Sequence, residues 1–256
     1  MIYHAGNIVI NIAPDMAAFN KDGARSIMDQ INKKPDSVVG FATGGTPVGV
    51  YKELAELNKS GRVDFRSVTS FNLDEYYPIK RDNPQSYYRF MAENLFDHVN
   101  IQPHKVNIPN GEAADVEEEC ASYERKIKAA GYLDFQVLGI GSNGHIGFNE
   151  PGGKFQGATH LVTLKESTVK DNARFFGDPS DVPRNAITMG IKTIMSAKKI
   201  LLLATGSVKA KVIKEALFGD ITPEVPASVL QLHTNLIALL DTEAAAEIMP
   251  ILEGLS

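Results

Sequence analysis

The sequence has little cysteine and no long apolar run. Its single cysteine, Cys120, cannot form an internal disulfide, which is typical of a reducing compartment and predicts a cytoplasmic protein. No apolar run approaches the roughly 20 residues that are needed to cross a bilayer. The first residues also lack the basic flank and apolar stretch of a secretion signal. We therefore expect no membrane partner.

An excess of positive charge is absent as well. The 26 Lys and Arg residues and 31 Asp and Glu residues give a formal net charge of −5, and the two signs are intermixed. This balance predicts no nucleic-acid partner, although it leaves room for a small local anion site. Repeats, low-complexity tracts and long linkers are absent too, which predicts a single domain over residues 1–256.

Apolar segments of strand length alternate with amphipathic segments of helix length, which predicts an α/β fold. We expect a single-domain, three-layer αβα sandwich, modified Rossmann-like, with a largely parallel central sheet. The predicted strands are Ile8–Ile12, Val38–Ala42, Val68–Leu73, Phe135–Ile140, His160–Leu164, Ile200–Ala204 and Leu236–Asp241. The predicted helices are Met16–Ile31, Val48–Ser60, Ser86–His98, Val116–Ala130, Ser207–Phe218 and Ala244–Leu252.

The segment after the second predicted strand has the composition of a phosphate-binding loop. Thr43, Gly44, Gly45 and Thr46 precede Pro47 and a predicted helix. Glycines let the backbone approach an anion, the hydroxyls add donors, and Thr46 is able to cap the helix that Pro47 would begin. The spacing fits neither a nucleotide P-loop nor a dinucleotide fingerprint, and a strand-to-helix turn without a ligand stays an alternative.

Charged side chains follow two other strands. Lys209 opens a predicted helix, where a cation opposes the helix dipole unless an anion is bound, so it is a second candidate phosphate contact or a solvated lysine. Asp74 follows an apolar strand, where partial desolvation would raise its pKa and suit a general base. Capping of a short turn by Asp74 is the alternative.

Glycine, polar and titratable residues are concentrated between residues 141 and 153. His145 is the residue of this loop that titrates near neutrality, and Asn143 or Glu150 is placed to orient its ring. We interpret His145 as catalytic rather than structural. A metal site built from His145, Glu150 and Asp74 is disfavoured because paired histidines and cysteine clusters are missing, so we expect no metal.

Residues 164–187 are polar and contain glycine and proline, so they form either a mobile cover over the site or a plain surface connection.

Six motifs in order along the chain resemble the glucosamine-6-phosphate deaminase family. They are Thr43–Pro47, Phe71–Tyr76, Ser86–Tyr88, Gly141–Pro151, Asn172–Phe176 and Gly206–Lys209. The resemblance covers nearly the whole chain, and the broader fold is similar to that of 6-phosphogluconolactonase. It implies a cofactor-free conversion of glucosamine 6-phosphate and water to fructose 6-phosphate and ammonia.

The resemblance also implies a role for each matching residue. Asp74 would move a proton between C2 and C1 of the sugar, and His145 would open the pyranose ring. Asn143 and Glu150 would orient the imidazole. The 6-phosphate would be bound by the glycine loop with Thr43, by Lys209 and by Arg174 of the proposed cover.

Two departures from the family pattern affect these expectations. Some members have an aspartate where this chain has Asn143, so Glu150 is left as the charged group near His145. Allosteric members bind N-acetylglucosamine 6-phosphate through serine, arginine and lysine. The positions that align with those contacts are Gly153, Lys154, His160 and Val162. We therefore predict an enzyme without this activation.

Two other functions compete with the deaminase. A lactonase acting on a phosphorylated sugar acid would need a histidine to activate water but no base over C2, so Asp74 discriminates between the two enzymes. A sugar-phosphate sensor of a transcription regulator would keep the phosphate loop but would need an attached DNA-binding module, for which the chain leaves no room before Ile8. The sequence leaves the oligomeric state open, including a homo-oligomer.

Overall fold

The computed structural model describes residues 1–173, 176, 178 and 181–254. The strands of the described chain are β1 (Ile2–Ala5), β2 (Ile8–Ala13), β3 (Val38–Phe41), β4 (Thr69–Asn72), β5 (Asp74–Tyr77), β6 (Val106–Asn107), β7 (Phe135–Leu138), β8 (His160–Thr163), β9 (Asn185–Thr188), β10 (Ile200–Ala204) and β11 (Leu236–Asp241). The α-helices are α1 (Met16–Lys33), α2 (Val48–Lys59), α3 (Tyr87–Asn94), α4 (Val116–Ala129), α5 (Glu166–Ala173), α6 (Ile191–Met195), α7 (Ala210–Phe218) and α8 (Met249–Glu253). Short 3₁₀ helices cover Phe96–His98, Pro103–Lys105, Ser207–Lys209 and Pro226–Leu232.

The central sheet confirms the predicted α/β class. Its strand order is β1-β2-β11-β10-β7-β3-β4-β6, and every neighbouring pair is parallel except β1 with β2. The central strands β3, β7 and β10 are buried along their whole length. Such burial is expected where helices cover both faces of a parallel sheet.

Helix α1 shows how local sequence fixes an element of this fold. Asp15 accepts a hydrogen bond from the backbone N–H of Ala18 at 2.8 Å and so caps the first turn. Phe19, Ile27 and Ile31 follow at helical spacing and are fully buried. The apolar stripe thus packs against the sheet, and the helix contacts β11, β2 and β10.

A second, smaller sheet was not predicted. The expected strand Val68–Leu73 ends at Asn72, and the chain continues from Asp74 as β5, which pairs antiparallel with β9 in the order β5-β9-β8. The segment Asp74–Tyr77 is polar at its start and has no alternation of apolar residues, so periodicity gave no strand signal. Consequently Asp74 lies at the start of a strand and not in a turn.

Other predicted boundaries also need correction. The helix predicted over Ser86–His98 is α3 followed by a 3₁₀ turn, and the one over Ser207–Phe218 begins as a 3₁₀ turn. The helix predicted over Ala244–Leu252 is α-helical only in α8, and the residues before α8 form turns, the first of which includes a hydrogen bond of 2.7 Å from the Ala244 N–H to Asp241. Strands β1 and β6 were missed because they are short edge strands.

Candidate active site

The sheet order brings the candidate loops to one edge of the molecule. Strands β10, β7, β3 and β4 are neighbours and parallel, so the segments after their carboxyl ends converge. Those segments carry Lys209, His145, Thr43 and Asp74 respectively. After β3 the chain adds strands towards one edge of the sheet, and after β7 it adds them towards the other edge. Ligands of open α/β sheets bind at such a topological switch point.

The predicted phosphate loop forms an open turn between β3 and α2. Gly44 adopts a φ of +98°, which favours glycine, and ideal Cβ positions at Gly44 and Gly45 meet no atom within 4 Å. Pro47 occupies the N-cap position of α2, and no side chain caps the helix, so the expected cap by Thr46 is wrong. The uncapped backbone N–H groups and the open space suit an anion.

The Lys209 loop is held in place by two acidic residues, one at the end of β11 and one just after it. The Asp241 carboxylate accepts the N–H of Gly206 at 2.9 and 3.1 Å, and Glu243 accepts the N–H of Ser207 at 3.1 Å. These carboxylates occupy the backbone donors of the loop. An anion at this position would therefore be bound by the half-buried Lys209 side chain and not by those amides.

Asp74 is buried beside the histidine loop. The residue is 5% exposed, and an ideal Cβ at Gly147 would lie 3.4 Å from Asp74 Oδ2 and 2.9 Å from Thr188 Oγ1. Gly147 has a φ of +56°, so a residue without a side chain is required for this close approach. Burial, and then the charge of Glu75, raise the pKa of Asp74 well above its ordinary value.

A chain of hydrogen bonds orients His145. The Asn143 Nδ2 group donates to Glu150 Oε2 at 2.8 Å, so Asn143 Oδ1 points to His145 Nδ1, also at 2.8 Å. Glu150 Oε2 lies 3.8 Å from His145 Nδ1, and the Glu150 side chain is 6% exposed. Since Oδ1 can only accept, Nδ1 carries the proton. In the neutral ring the proton is therefore on Nδ1, so the other ring nitrogen, Nε2, is the atom that exchanges a proton.

We predict that Gly141→Ala impairs the site because the imidazole packs on this glycine. An alanine methyl group at position 141 would lie 2.2 Å from His145 Cε1, so the ring would have to move. We expect at least a tenfold loss of kcat with little change in melting temperature, and Gly139→Ala is the matched control because its methyl group meets nothing within 4 Å. Equal activity of both variants would contradict this account of the ring position.

Regular secondary structure is present in the predicted cover. Residues 166–173 form α5, and Asn185–Thr188 is β9, which belongs to the smaller sheet. A second apolar cluster joins this segment to the site, and its members are Tyr76, Ile79, Phe148, Leu164, Val169, Val182 and Ala186. Arg174 lies outside the described residues. Both its phosphate contact and the mobility of the cover stay predictions.

The described ranges contain neither a metal-binding cluster nor a membrane-spanning helix. No group of three or more His, Cys, Asp and Glu side chains there could hold a metal ion. None of the helices in the same ranges combines the length and the apolar composition needed to cross a bilayer. The candidate groups of this edge are therefore the phosphate loop, Lys209, Asp74 and the His145 hydrogen-bond chain.

Comparison with known proteins identifies the family. Residues 15–238 match the model of the family described as glucosamine-6-phosphate isomerases/6-phosphogluconolactonase. This chain belongs to that family. A glucosamine-6-phosphate deaminase of Clostridium botulinum (strain Loch Maree / Type A3) is 51% identical over 93% of this chain and 98% of its own length. The same enzyme of Alkaliphilus oremlandii is 51% identical over 93% and 99%.

Solved structures of the family agree with this fold. A structure described as a monomeric glucosamine-6-phosphate deaminase has a TM-score of 0.91 at 44% identity and covers 93% of this chain and 99% of its own. The 6-phosphogluconolactonase of Thermotoga maritima has a TM-score of 0.74 at 23% identity, with 92% and 100% covered, and shows the fold alone. Of these two structures, the deaminase is the more similar to this chain in both sequence and fold.

Sequence reasoning assigned no role to Glu75. It is 2% exposed and accepts three backbone hydrogen bonds, two of them from the start of α3. Its only sequence signal was a second acid beside Asp74, directly after the predicted apolar strand Val68–Leu73, which could equally have been a solvated charge. The pairing of β5 with β9, which buries it, depends on residues more than 100 positions away.

Proposed function

We propose that this protein is a glucosamine-6-phosphate deaminase that converts glucosamine 6-phosphate and water to fructose 6-phosphate and ammonia. The observation that carries the proposal is the position of the buried Asp74 carboxyl against the loop of His145. A base beside an oriented imidazole suits proton transfer on a sugar that must first open its ring. Relatives described as glucosamine-6-phosphate deaminases, 51% identical over 93% of this chain, support the same conclusion. The proposed place of action is the cytoplasm.

Substrate binding would begin at the phosphate. The glycine loop Thr43–Thr46, with open space beside Gly44 and Gly45, and the ammonium group of Lys209 would bind the 6-phosphate together at the ends of β3 and β10, and Arg174 would add a third contact from the cover. Binding of the 6-phosphate at this edge fixes the sugar relative to Asp74 and His145. Holding a reactant in place in this way supplies a large part of a rate enhancement without any cofactor.

His145 would open the pyranose ring. Nδ1 donates to Asn143, so Nε2 is the nitrogen that exchanges protons with the sugar. One proton leaves the C1 hydroxyl and one is delivered to the ring oxygen as the C1–O bond to that oxygen breaks. The product is the open-chain aldehyde. Glu150 acts through Asn143, whose amide it orients, and its charge at 3.8 Å favours a transient imidazolium.

Asp74 would carry out the isomerisation. Its carboxylate takes the proton from C2, and the electrons of that bond form a C1–C2 double bond while the C1 oxygen takes up a proton from water, which gives an enolamine. Return of the first proton to C1 gives a C2 iminium, and addition of water at C2 releases ammonia and one proton and leaves the C2 ketone of fructose 6-phosphate. The steps balance without an oxidant or a reductant, so the side chains and one water supply all that the reaction needs.

The experiment that tests the function is product analysis. Purified protein is given glucosamine 6-phosphate without added metal or nucleotide, and we expect ammonia and fructose 6-phosphate in equal amounts. A parallel reaction contains 6-phosphogluconolactone. Hydrolysis of the lactone without ammonia release would favour the lactonase, and sugar-phosphate binding without either reaction would favour the sensor.

We also predict that N-acetylglucosamine 6-phosphate does not activate the enzyme. Gly153, Lys154, His160 and Val162 line one cavity of about 340 Å³, but only Lys154 among them brings a permanent cation to it. One lysine is a weak phosphate site compared with a cluster of donors. Initial rates should depend hyperbolically on the concentration of glucosamine 6-phosphate, with or without the acetylated sugar. Sigmoidal kinetics that become hyperbolic when it is added would contradict the prediction.

A further inference from the structure

Glu75 lies directly behind the proposed base. It follows Asp74 in β5, and because successive side chains of a strand point to opposite faces, it points away from the substrate side. The Glu75 residue is 2% exposed, so its carboxyl group is removed from water almost completely. A buried carboxyl that does not contact substrate needs another physical reason to be where it is.

The carboxylate of Glu75 joins the catalytic strand to helix α3. Oε1 accepts the N–H of Tyr76 at 2.9 Å and of Tyr87 at 2.8 Å, and Oε2 accepts the N–H of Tyr88 at 3.0 Å. Ser86 Oγ accepts the next helical N–H, that of Arg89, at 3.1 Å. Both oxygens of Glu75 are therefore acceptors at a helix start, which favours the charged form.

Glu75 and Asp74 are adjacent acids in one buried strand. Within the described part of the chain, neither forms a salt bridge with a lysine, arginine or histidine. Burial, partly offset by the three N–H partners, raises the pKa of Glu75 to about 7, and burial and then the charge of Glu75 raise the pKa of Asp74. The two acids thus compete for ionisation in the same buried strand.

The other titratable groups around this pair differ in burial. Burial raises the pKa values of Tyr76, Tyr87 and Tyr123, so these phenols stay neutral in the neutral pH range. Arg81 and Glu112 face Glu75 across a cavity of about 390 Å³ but are exposed, so solvent screens them. His145 lies on the substrate side. Among the described residues, Glu75 is therefore the buried charge that acts on Asp74 from behind.

We propose that Glu75 is a positioning residue of the deamination, which holds β5 against α3 and, through its negative charge, keeps Asp74 basic enough to take the C2 proton. The proposal rests on the base role of Asp74 in the proposed function. It extends that function because Glu75 contacts neither the sugar nor the reacting atoms.

The test is the pH profile of kcat for ammonia release by Glu75→Gln, measured beside the wild-type enzyme. Glutamine keeps the size of the side chain but removes the charge, and its amide N–H₂ faces the N–H of Tyr88. We expect the acid limb of kcat to move to lower pH by at least 0.5 unit, because Asp74 loses a like charge. The plateau should fall by no more than about threefold for each 0.5 unit as the base weakens, with KM changed less than twofold.

Two controls separate charge from structure. Ser86→Ala removes the other cap of α3 without a change of charge, so it should lower the melting temperature and leave the pH profile in place. Glu112→Gln removes a charge from the exposed rim of the same cavity and should change neither quantity. An acid limb displaced only in Glu75→Gln supports the proposal.

The contrary outcomes are distinct. If the wild-type enzyme is active and Glu75→Gln lowers only the melting temperature, Glu75 is a cap and the proposal is overturned while the function stands. If the wild-type enzyme releases no ammonia, both fail. Should Glu75→Gln not fold, ¹³C NMR titration of the wild-type Asp74 carboxyl decides. A second inflection as Glu75 ionises supports the coupling, and a single-step titration overturns it.

Discussion

Asp74→Asn lowers kcat for ammonia release from glucosamine 6-phosphate by at least about a thousandfold, with KM changed only a few-fold. Asparagine has nearly the same shape but cannot accept the C2 proton, and positioned general bases contribute about 10²- to 10⁴-fold. In the wild-type enzyme Asp74 must be ionised to act. Because its pKa is raised, kcat should fall with decreasing pH well above the ordinary carboxyl range.

The stability of Asp74→Asn should show that this loss of activity comes from the missing base and not from a loss of folding. The pKa of the Asp74 carboxyl is higher in the folded protein than in the unfolded chain. The free energy of unfolding therefore falls as the pH rises from the lower of these two values to the higher, because the folded protein disfavours the charged carboxylate. Asparagine removes that cost. The melting temperature at pH 8 should equal or exceed that of the wild-type enzyme, and the difference should shrink below pH 4. A variant that retains more than a tenth of wild-type kcat would contradict the base role.

His145→Gln lowers kcat by about a hundredfold or more. Glutamine can still hydrogen-bond to Asn143, but it cannot exchange a proton with the ring oxygen of the sugar. Steady-state kinetics with glucosamine 6-phosphate measures the loss, and circular dichroism verifies the fold.

His160→Gln is the matched control for the histidine prediction. His160 lies in β8, and its Nδ1 contacts the carbonyl oxygen of Ala158 at 2.9 Å, outside the hydrogen-bond chain of His145. The control should keep at least half of wild-type kcat. If both variants lose activity equally, or if His145→Gln stays within threefold of the wild-type enzyme, ring opening does not depend on this imidazole.

The central sheet was largely predictable because its strands are apolar and flanked by clear turns. Ile200–Ala204 and Leu236–Asp241 have the bounds that were predicted for them. Strands β5 and β9 were missed because β5 begins with two acids and β9 has only two apolar residues, and their pairing joins segments more than 100 positions apart. Local pattern carries no information on such a contact, which tertiary packing alone decides.

The candidate site was predictable to the level of its loops but not of its geometry. Each loop followed a predicted strand, and a parallel sheet collects such loops at one edge. What the sequence could not supply was the strand order that makes the Thr43 and His145 loops neighbours, or the contact of Asp74 with Gly147. The anchoring of the Gly206 loop by Asp241 and the cap that Glu75 forms on α3 were equally hidden, because both join distant segments.

The central claim, a proton transfer from C2 to C1 that ends in deamination, is tested most directly by NMR of the reaction in D₂O. Glucosamine 6-phosphate should give ammonia and fructose 6-phosphate in equal amounts, and one C1 hydrogen of the ketose should come from C2 or from solvent deuterium. Asp74→Asn should give neither ammonia nor exchange at C2. Ammonia release that leaves the C2 hydrogen in place, or wild-type protein that neither exchanges C2 nor releases ammonia, would contradict the account.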